Sequence, residues 1–393
     1  MIYYLMHAND PITAIDIDDS GNLMNIANTS INKELLPLKY RASPDGLRNW
    51  WKERAIPASR HGLTEFLIGN GYSGPLEYLK KNLGLSLTDH YWINPIDSQL
   101  TWKKINLFEN DFVSDALETS AMPPSASVPV YSANSSLQGD IEKTWIIEDG
   151  VRKLIKGNTG DLSSESLNEV LAAEIYRLQK YDNYTPYELV RIKDKEYEFG
   201  CSCPAFTSLE KEFVSAYDLV TSEQKPNHLS WFEHFLQLAE KNGADRELLQ
   251  HDVDVMLLCD YVLSGFDRHL HNLGILRDPK TLRFERLAPV FDSGGSLFAG
   301  RELPNTKKDL LRIRTNSFAA SERKLLSYVE DKKAIDLNKL PSAEWVRELY
   351  RRDPLQSEKR INAVIKAYTW KIDLLGEIQK GRDPYKKDPA LQL

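Results

Sequence analysis

The part of the chain that most constrains its fold runs from residue 257 to residue 297, LLCDYVLSGFDRHLHNLGILRDPKTLRFERLAPVFDSGGSL. It begins as an apolar, helix-like run and then predicts two short strands, 273–276 and 288–291, joined through an Asp-Pro turn. If these strands pair as a hairpin, two carboxylates and one amide meet near its ends. These three side chains are Asp267, Asn272 and Asp292.

This set of oxygen atoms is suited to chemistry with a hard cation such as Mg²⁺. Phosphoryl transfer needs positioned phosphates, a metal that neutralises charge, and a group that orients or deprotonates the attacking hydroxyl. In that chemistry Asp267 is the predicted catalytic base, and Asn272 and Asp292 are the predicted metal ligands. His269 belongs to the same catalytic loop, where it either hydrogen-bonds to fix Asp267 or packs against the loop.

Composition restricts the class of protein. A length of 393 residues is long for one core and predicts two or three domains. The net charge of −7 argues against a broad basic surface, so no direct nucleic-acid binding is expected. Three cysteines do not form a disulfide framework, which favours a reducing cytoplasm. We expect a cytoplasmic protein without a membrane partner, because the N-terminus does not resemble a signal peptide and no apolar stretch approaches about 18 residues.

A proline- and serine-rich stretch without hydrophobic periodicity, TSAMPPSASVPV, predicts a linker at residues 119–130. It separates an N-terminal accessory domain, 1–118, from a small lobe, 131–204, and a helical lobe with the catalytic loop, 205–393. Paired aromatic residues in the accessory domain are interpreted as its core rather than as a recognition surface. They are Trp50, Trp51, Tyr91 and Trp92.

After the linker, a small polar loop precedes two predicted strands, 142–147 and 151–156. The backbone N–H groups of such a loop can bind phosphates, and a lysine at a strand end can reach the same phosphates as a point charge. The cofactor-binding candidates here are Ser136, Gly139, Lys143 and Lys156. The loop has a single glycine and no GxGxxG motif, so an ordinary hairpin with exposed lysines is the alternative.

The next predicted element is an amphipathic helix over residues 167–180. It carries Glu169 and Glu174, and we expect one of them to pair with Lys156 while solvated glutamates remain the alternative. Helical phase alone does not choose between the two.

Two further strands, 187–192 and 197–201, lead into Cys201-Ser202-Cys203. We assign Cys201 and Cys203 to the hinge between lobes, where the backbone would bind the adenine edge of a nucleotide. A zinc site with His269 and His271 is less favoured, because the spacing is not C-x-x-C and no second cysteine pair exists. Helical patterns then dominate, at 229–242, 246–263, 306–328 and 342–380.

Two segments carry a resemblance to a known family, the HipA-like serine/threonine kinases. The segment GFDRHLHN, residues 265–272, matches the family's Asp-x-His-x-x-Asn loop, and Phe291-Asp292-Ser293 matches its metal-binding aspartate. Residues 139–144 and 154–156 and the pair Asn168-Glu169 are also similar to the family's pattern, and the last of these favours Glu169 over Glu174 as the partner of Lys156. The resemblance covers roughly residues 130–380.

The resemblance implies an α+β, protein-kinase-like fold of two lobes, a small mixed lobe and a large helical lobe. It also implies ATP and Mg²⁺ as cofactors, a protein hydroxyl as acceptor, and an antitoxin-type partner. Ser136 matches the serine that such kinases autophosphorylate. A phosphate there would add about −1.5 to −2 charges where the ATP phosphates should lie, which would block binding. The tryptophan-rich N-terminal region is not covered by the resemblance.

Two other functions remain open from the residues. Choline- and aminoglycoside-type kinases use a similar aspartate, asparagine and aspartate set, so a small-molecule phosphotransferase is one alternative. A pseudokinase that serves as an interaction module is the other, although a scaffold does not require Lys156, Asp267, Asn272 and Asp292 together. Arg268 is interpreted as a solvated loop arginine and His271 as a surface residue.

Overall fold

The computed structural model describes residues 1–27, 32–39, 45–114, 131–160, 163–192 and 199–387. The predicted linker at 119–130 lies outside these residues, as does the turn at 193–196 between the two strands predicted at 187–192 and 197–201. Within the described ranges the chain forms three sheets, and each sheet is combined with helices.

The N-terminal region is built on an antiparallel sheet of four strands in the order β3-β2-β1-β4. Trp51 and Trp92 are each about 1% exposed within its core, which confirms their prediction as core residues, while Trp50 is only half-buried. The elements are β1 (Ile2–His7), β2 (Asp10–Ile17), β3 (Leu23–Ile26), α1 (Gly46–Arg54), α2 (Leu63–Gly69), α3 (Pro75–Lys81), β4 (Tyr91–Pro95) and α4 (Trp102–Ile105).

A second four-stranded sheet, in the order β5-β6-β8-β7, forms the small lobe, and one long helix packs on it. That helix buries Leu171 and Ile175 completely on the side that faces the large lobe core. It ends at Lys180 in a left-handed conformation (φ 57°). The elements are β5 (Lys143–Glu148), β6 (Val151–Lys156), α5 (Glu165–Gln179), β7 (Glu188–Arg191) and β8 (Phe199–Pro204).

The large lobe is mainly helical and includes a small sheet in the order β11-β10-β9. Its helices start at residues that cap the first turn: Ser215, Ser230, Asp245, Ser321, Ser342 and Ser357 each accept a backbone N–H with their side chains. The elements are β9 (Glu212–Ser215), α6 (Ala216–Thr221), α7 (Trp231–Lys241), α8 (Arg246–Val262), β10 (Gly274–Arg277), β11 (Phe284–Leu287), α9 (Glu322–Leu326), α10 (Ala343–Tyr350) and α11 (Glu358–Gln379).

Two predicted elements are wrong in position. The second strand of the catalytic hairpin is Phe284–Leu287 rather than 288–291, because Pro289 has no N–H to donate to a strand ladder. The helix predicted over 306–328 contains only a 3₁₀ turn at Asp309–Arg312 and the short α9. Between these two elements Thr315-Asn316-Ser317 favours turns over helix.

The N-terminal region contacts both lobes. Its hydrophobic core extends into Trp145 of β5. On the large lobe, the buried Glu212 lies 3.1 Å from His7 Nε2 of β1 and 2.5 Å from Arg277 Nη2. Burial alone would raise the pKa of Glu212, but Arg277 and His7 hold it well below its usual range.

None of the helices within the described residues combines the length and the apolar character that a membrane crossing requires.

Candidate functional site

Helix α8 positions the start of the predicted catalytic loop. It ends in a Schellman motif, in which Ser264 adopts a left-handed conformation (φ 51°) and its N–H donates to the carbonyl of Tyr261 at 3.2 Å. The N–H of Gly265 donates to the carbonyl of Asp260 at 2.7 Å. The chain therefore leaves the helix in a fixed direction, two residues before Asp267.

The loop itself is closed by backbone and side-chain hydrogen bonds. The N–H of Asn272 donates to the carbonyl of His269 at 2.7 Å, and Asn272 Nδ2 donates to the carbonyl of Asp267 at 3.1 Å. These bonds fix the Asn272 side chain and leave its amide oxygen as an acceptor. His269 Nδ1 accepts from the N–H of His271 at 3.3 Å, which gives His269 a role in holding the loop.

The loop that carries Asp292 lies against the catalytic loop. Asp292 has a left-handed conformation (φ 56°), and it follows β11 by five residues. The carbonyl of Gly295 accepts from the N–H of Phe266 at 3.0 Å. A Cβ atom at position 295 would lie 2.8 Å from Cβ of Asp267, so this close approach requires glycine.

Lys156 joins the two lobes through a buried pair of ionic contacts. Its Nζ lies 2.5 Å from Oε1 of Glu169 on α5 and 2.5 Å from Oδ1 of Asp292. Glu169 also accepts the N–H of Ser293 at 2.8 Å through Oε2. Glu174 instead pairs with Arg177 at 2.6 Å on the same helix. The glutamate that contacts Lys156 is therefore Glu169.

The charges of Lys156 and Asp292 stabilise each other despite burial. Burial alone would lower the pKa of Lys156, but Asp292 and Glu169 outweigh it and raise that pKa well above its usual value. Burial would raise the pKa of Asp292, but Lys156 and Lys143 hold it well below its usual range. Asp292 is therefore a carboxylate at neutral pH, as a metal ligand must be.

The small polar loop before β5 is placed over the same cleft. Asn134 opens a 3₁₀ turn, and its side chain joins the turn to β5 by donating to Thr144 Oγ1 (2.8 Å) and accepting the N–H of Trp145 (2.9 Å). Gly139 is left-handed (φ 93°), and a Cβ there would lie 2.6 Å from Nζ of Lys143. The loop therefore packs closely against the Lys143 ammonium.

Lys143 gives the site a testable pH dependence. Burial lowers the pKa of Lys143 to about 8, assisted by Lys156 and Arg60 and opposed by Asp292. Below that pH the ammonium is charged and attracts phosphates, and above it the charge is lost. We expect the affinity for inorganic tripolyphosphate, measured by calorimetry, to fall as pH rises from about 7 to about 9. The Lys143→Arg variant should show a much flatter profile, and parallel profiles for the two proteins would contradict the assignment.

A cleft of about 1090 Å³ between the lobes brings most of the predicted site residues together. The predicted residues that line it are Ser136, Gly139, Lys143, Lys156, Cys203, Asp267, His269, Asn272 and Asp292. Helix α1 of the N-terminal region supplies a further wall through Trp50 and Glu53. Glu169 is not part of the lining and contacts the cleft through Lys156.

The two cysteines differ in their access to the cleft. Both are buried in one cluster with Tyr187 and Ala173, but only Cys203 also lines the cleft. Burial raises the pKa of Cys203 to about 12, so its thiol stays protonated at neutral pH. Within the described ranges, the side chains of His7, His90 and Glu212 cluster closely enough to hold a metal ion, and no cysteine joins such a cluster, so the zinc alternative gains no support.

Arg268 is the main residue whose role sequence reasoning missed. It was expected to be solvated, but it is 4% exposed and pairs with Asp260 of α8 at 2.8 Å. It also donates to the carbonyl of Asn272 (3.1 Å), to that of Phe291, and to Ser293 Oγ (2.8 Å). Arg268 therefore connects α8, the catalytic loop and the Asp292 loop. The available signal was Asp260 itself, an aspartate inside the apolar run MLLCDYVL that needs a cationic partner.

Two asparagines outside the predicted set also support the site. Asn316 Nδ2 donates to Asp267 Oδ1 at 3.3 Å. Asn168 Nδ2, on α5, donates to the carbonyls of Gly294 (2.9 Å) and Ser296 (2.7 Å). The first orients the predicted base, and the second attaches the Asp292 loop to the small lobe.

Comparisons with known proteins add a structural relationship. No protein-family model matches the chain, and a search of curated proteins found no match. Among solved structures, the chain is similar to the Shewanella oneidensis MR-1 toxin–antitoxin system HipA with HipB and its operator DNA. The TM-score is 0.54 at 13% identity, with 97% of this chain and 98% of that chain covered.

It is also similar to the Helicobacter pylori proinflammatory kinase CtkA, with a TM-score of 0.45 at 16% identity over 62% of this chain and 96% of that chain. The expectation of no nucleic-acid contact gains no support, because the Shewanella structure includes operator DNA. At these identities the likeness to HipA concerns the fold. The chain therefore has an α+β, protein-kinase-like fold of a small mixed lobe and a large helical lobe, preceded by an N-terminal domain.

Proposed function

We propose that this protein is an ATP- and Mg²⁺-dependent serine/threonine protein kinase of the HipA-like type. The observation that carries the proposal is the position of Lys156, held between Glu169 and Asp292 at 2.5 Å from each. Asp267 and Asn272 line the same cleft as Lys156 and Asp292. A lysine, a helix glutamate, a metal-binding aspartate and a catalytic-loop pair of aspartate and asparagine are the parts that protein kinases share.

The donor set fits a hard metal ion. A carboxylate at Asp292 and an amide oxygen at Asn272 are ligands that Mg²⁺ prefers, and the Lys156 ammonium already contacts the carboxylate, so the position accepts a cation. When bound, Mg²⁺ neutralises the phosphate charge. Lys143 and Lys156 would bind phosphate oxygens, and Asp267 would accept the proton of the acceptor hydroxyl. The backbone near Cys203 would hold the adenine edge.

Incubation of the full chain with labelled ATP and Mg²⁺, followed by mass spectrometry of the protein, tests the proposal. We expect phosphate on serine or threonine residues of the protein, and transfer near background for Asp267→Asn with nucleotide binding retained. Turnover only with added small molecules would favour a small-molecule phosphotransferase. Absence of nucleotide binding would favour a pseudokinase interaction module.

The same incubation tests self-regulation at Ser136. Its hydroxyl is buried and donates to the carbonyl of Leu85 at 2.8 Å, so a phosphate there would not fit the observed loop conformation. We expect phosphate at Ser136 and a loss of activity on preincubation with ATP that Ser136→Ala prevents. Equal losses for both proteins would contradict the switch.

A toxin role with an antitoxin-type partner completes the proposal. Its support is the likeness to HipA, which was solved with HipB and operator DNA. Growth of a bacterial host after induced expression tests this part: arrest with the native protein and normal growth with Asp267→Asn are expected, and normal growth with both would contradict it.

A further inference from the structure

The loop over residues 132–140, called here the nucleotide loop, is attached mainly to the N-terminal region rather than to the lobe that follows it. Tyr78 OH donates to Ser132 Oγ (2.7 Å), and Ser136 Oγ donates to the carbonyl of Leu85 (2.8 Å). Ser59 Oγ donates to Asp140 Oδ1 (2.5 Å). These bonds join positions that are more than fifty residues apart in sequence.

The densest part of this attachment involves the segment 54–60, which begins at the last residue of α1. Gln138 Nε2 donates to the carbonyls of Arg54 (3.1 Å) and Ala55 (2.9 Å). In the other direction, the N–H of Ile56 donates to the carbonyl of Ser135 at 3.0 Å. The two segments therefore exchange hydrogen bonds both ways, so a movement of one requires a movement of the other.

Arg60 is the charged group at the centre of this contact. Its side chain is 6% exposed, and it donates from Nε to the carbonyl of Gly139 (2.8 Å) and from Nη2 to the carbonyl of Leu137 (2.5 Å). Arg60 does not line the cleft, whereas the loop residues that it holds do. Because a guanidinium is planar and rigid, these two bonds fix both peptide groups relative to each other.

The orientation of these peptides has a consequence for anion binding. In a trans peptide the C=O and the following N–H point in opposite directions. With the carbonyls of residues 137 and 139 turned toward Arg60, the N–H groups of Gln138 and Asp140 are turned away from it. Neither N–H donates to any of the described residues, and both residues line the cleft beside Lys143.

We propose that Arg60 is a positioning residue for the phosphates of the bound nucleotide. It holds the nucleotide loop so that backbone N–H groups and Lys143 face the phosphates, and it couples nucleotide binding to the conformation of the N-terminal region. The inference rests on the proposed function, because it requires a nucleotide in the cleft. Since coupling between two sites is reciprocal, nucleotide binding also stabilises the segment 54–60.

The test measures binding of ATP–Mg²⁺ by calorimetry with the full chain and with Arg60→Ala, Arg60→Lys and Arg48→Ala. Arg48 is the matched control, because it lies on α1 and bonds to Asp45 and the carbonyl of Met24, away from the nucleotide loop. We expect Arg60→Ala to weaken binding roughly 10- to 100-fold, the loss expected when hydrogen bonds from a charged group are removed. Arg60→Lys should fall in between, and Arg48→Ala should bind as the native chain does.

A second readout separates positioning from general stability. ATP–Mg²⁺ should slow amide hydrogen exchange at Ile56 in the native chain and in Arg48→Ala, and not in Arg60→Lys. If Arg60→Ala does not fold, the Arg60→Lys variant provides the test. An affinity for ATP–Mg²⁺ and an amide hydrogen exchange at Ile56 equal to those of the native chain would overturn the inference. Unchanged affinity in a folded Arg60→Ala does the same and leaves the proposed function intact. A native chain that binds no ATP–Mg²⁺ overturns both.

Discussion

Replacement of Asp292 by asparagine is expected to lower the rate of phosphoryl transfer by about 10³-fold, the scale of losing one fixed electrostatic group at a reacting centre. The change keeps the size of the side chain and removes its charge. Lys156 then keeps only Glu169 as its anionic contact among the described residues, and the proposed metal position keeps only the neutral oxygens of two amides. Single-turnover rates at saturating ATP and varied Mg²⁺ measure the effect.

Glu174→Gln is the matched control for this prediction. Glu174 lies on α5 like Glu169, but it pairs with Arg177 and does not line the cleft. Its replacement should leave the rate within about twofold, because its partner Arg177 is largely exposed and neither side chain lines the cleft. A rate for Asp292→Asn within a few-fold of the native rate would exclude Asp292 as a metal ligand.

Replacement of Arg268 by methionine is expected to reduce the free energy of unfolding by about 3–5 kcal/mol, the cost of breaking one partner of a buried ion pair. The change leaves the Asp260 carboxylate buried without its cation, and it removes the donors to the carbonyls of Asn272 and Phe291. Denaturant unfolding with the slope compared between variants measures the loss.

The control for Arg268 is Arg246→Met, because Arg246 is a partly exposed arginine that contacts Glu233 at 3.3 Å. It should lose less than about 1 kcal/mol. The double variant Asp260→Leu with Arg268→Met should recover part of the stability, since no unpaired charge remains. Equal small losses for Arg268→Met and Arg246→Met would show that the buried pair does not hold the loops together.

The sequence was most informative where contacts are local. Asp267 and Asn272 are five residues apart in one closed loop, so their meeting follows from the turn between α8 and β10. The pattern also predicted β6 at its observed bounds, Val151–Lys156, because a hairpin turn fixes where the strand begins. Helical phase alone does not identify whether Glu169 or Glu174 contacts Lys156, since both fit it. The packing of α5 on the sheet decides between them.

Long-range polar contacts were beyond sequence reasoning. Arg60 and Gly139 are 79 residues apart, and nothing in either local sequence indicates a hydrogen bond between them. The burial of Arg268 depends partly on such contacts, because carbonyls from two loops accept its N–H groups. The position of the second hairpin strand follows from Pro289, which has no N–H to donate to a strand ladder.

The buried ionic contacts around Lys156 also restrict the net charge of a ligand that can enter the cleft. Within the cluster of Lys143, Lys156, Glu169 and Asp292, two amino groups face two carboxyl groups, so the cluster is balanced when all four are charged. Phosphates alone would add uncompensated negative charge to this balanced set, and a divalent cation alone would add uncompensated positive charge. Entry of the two together disturbs the balance least, so we expect the cleft to bind a metal-bound nucleotide more tightly than either component alone.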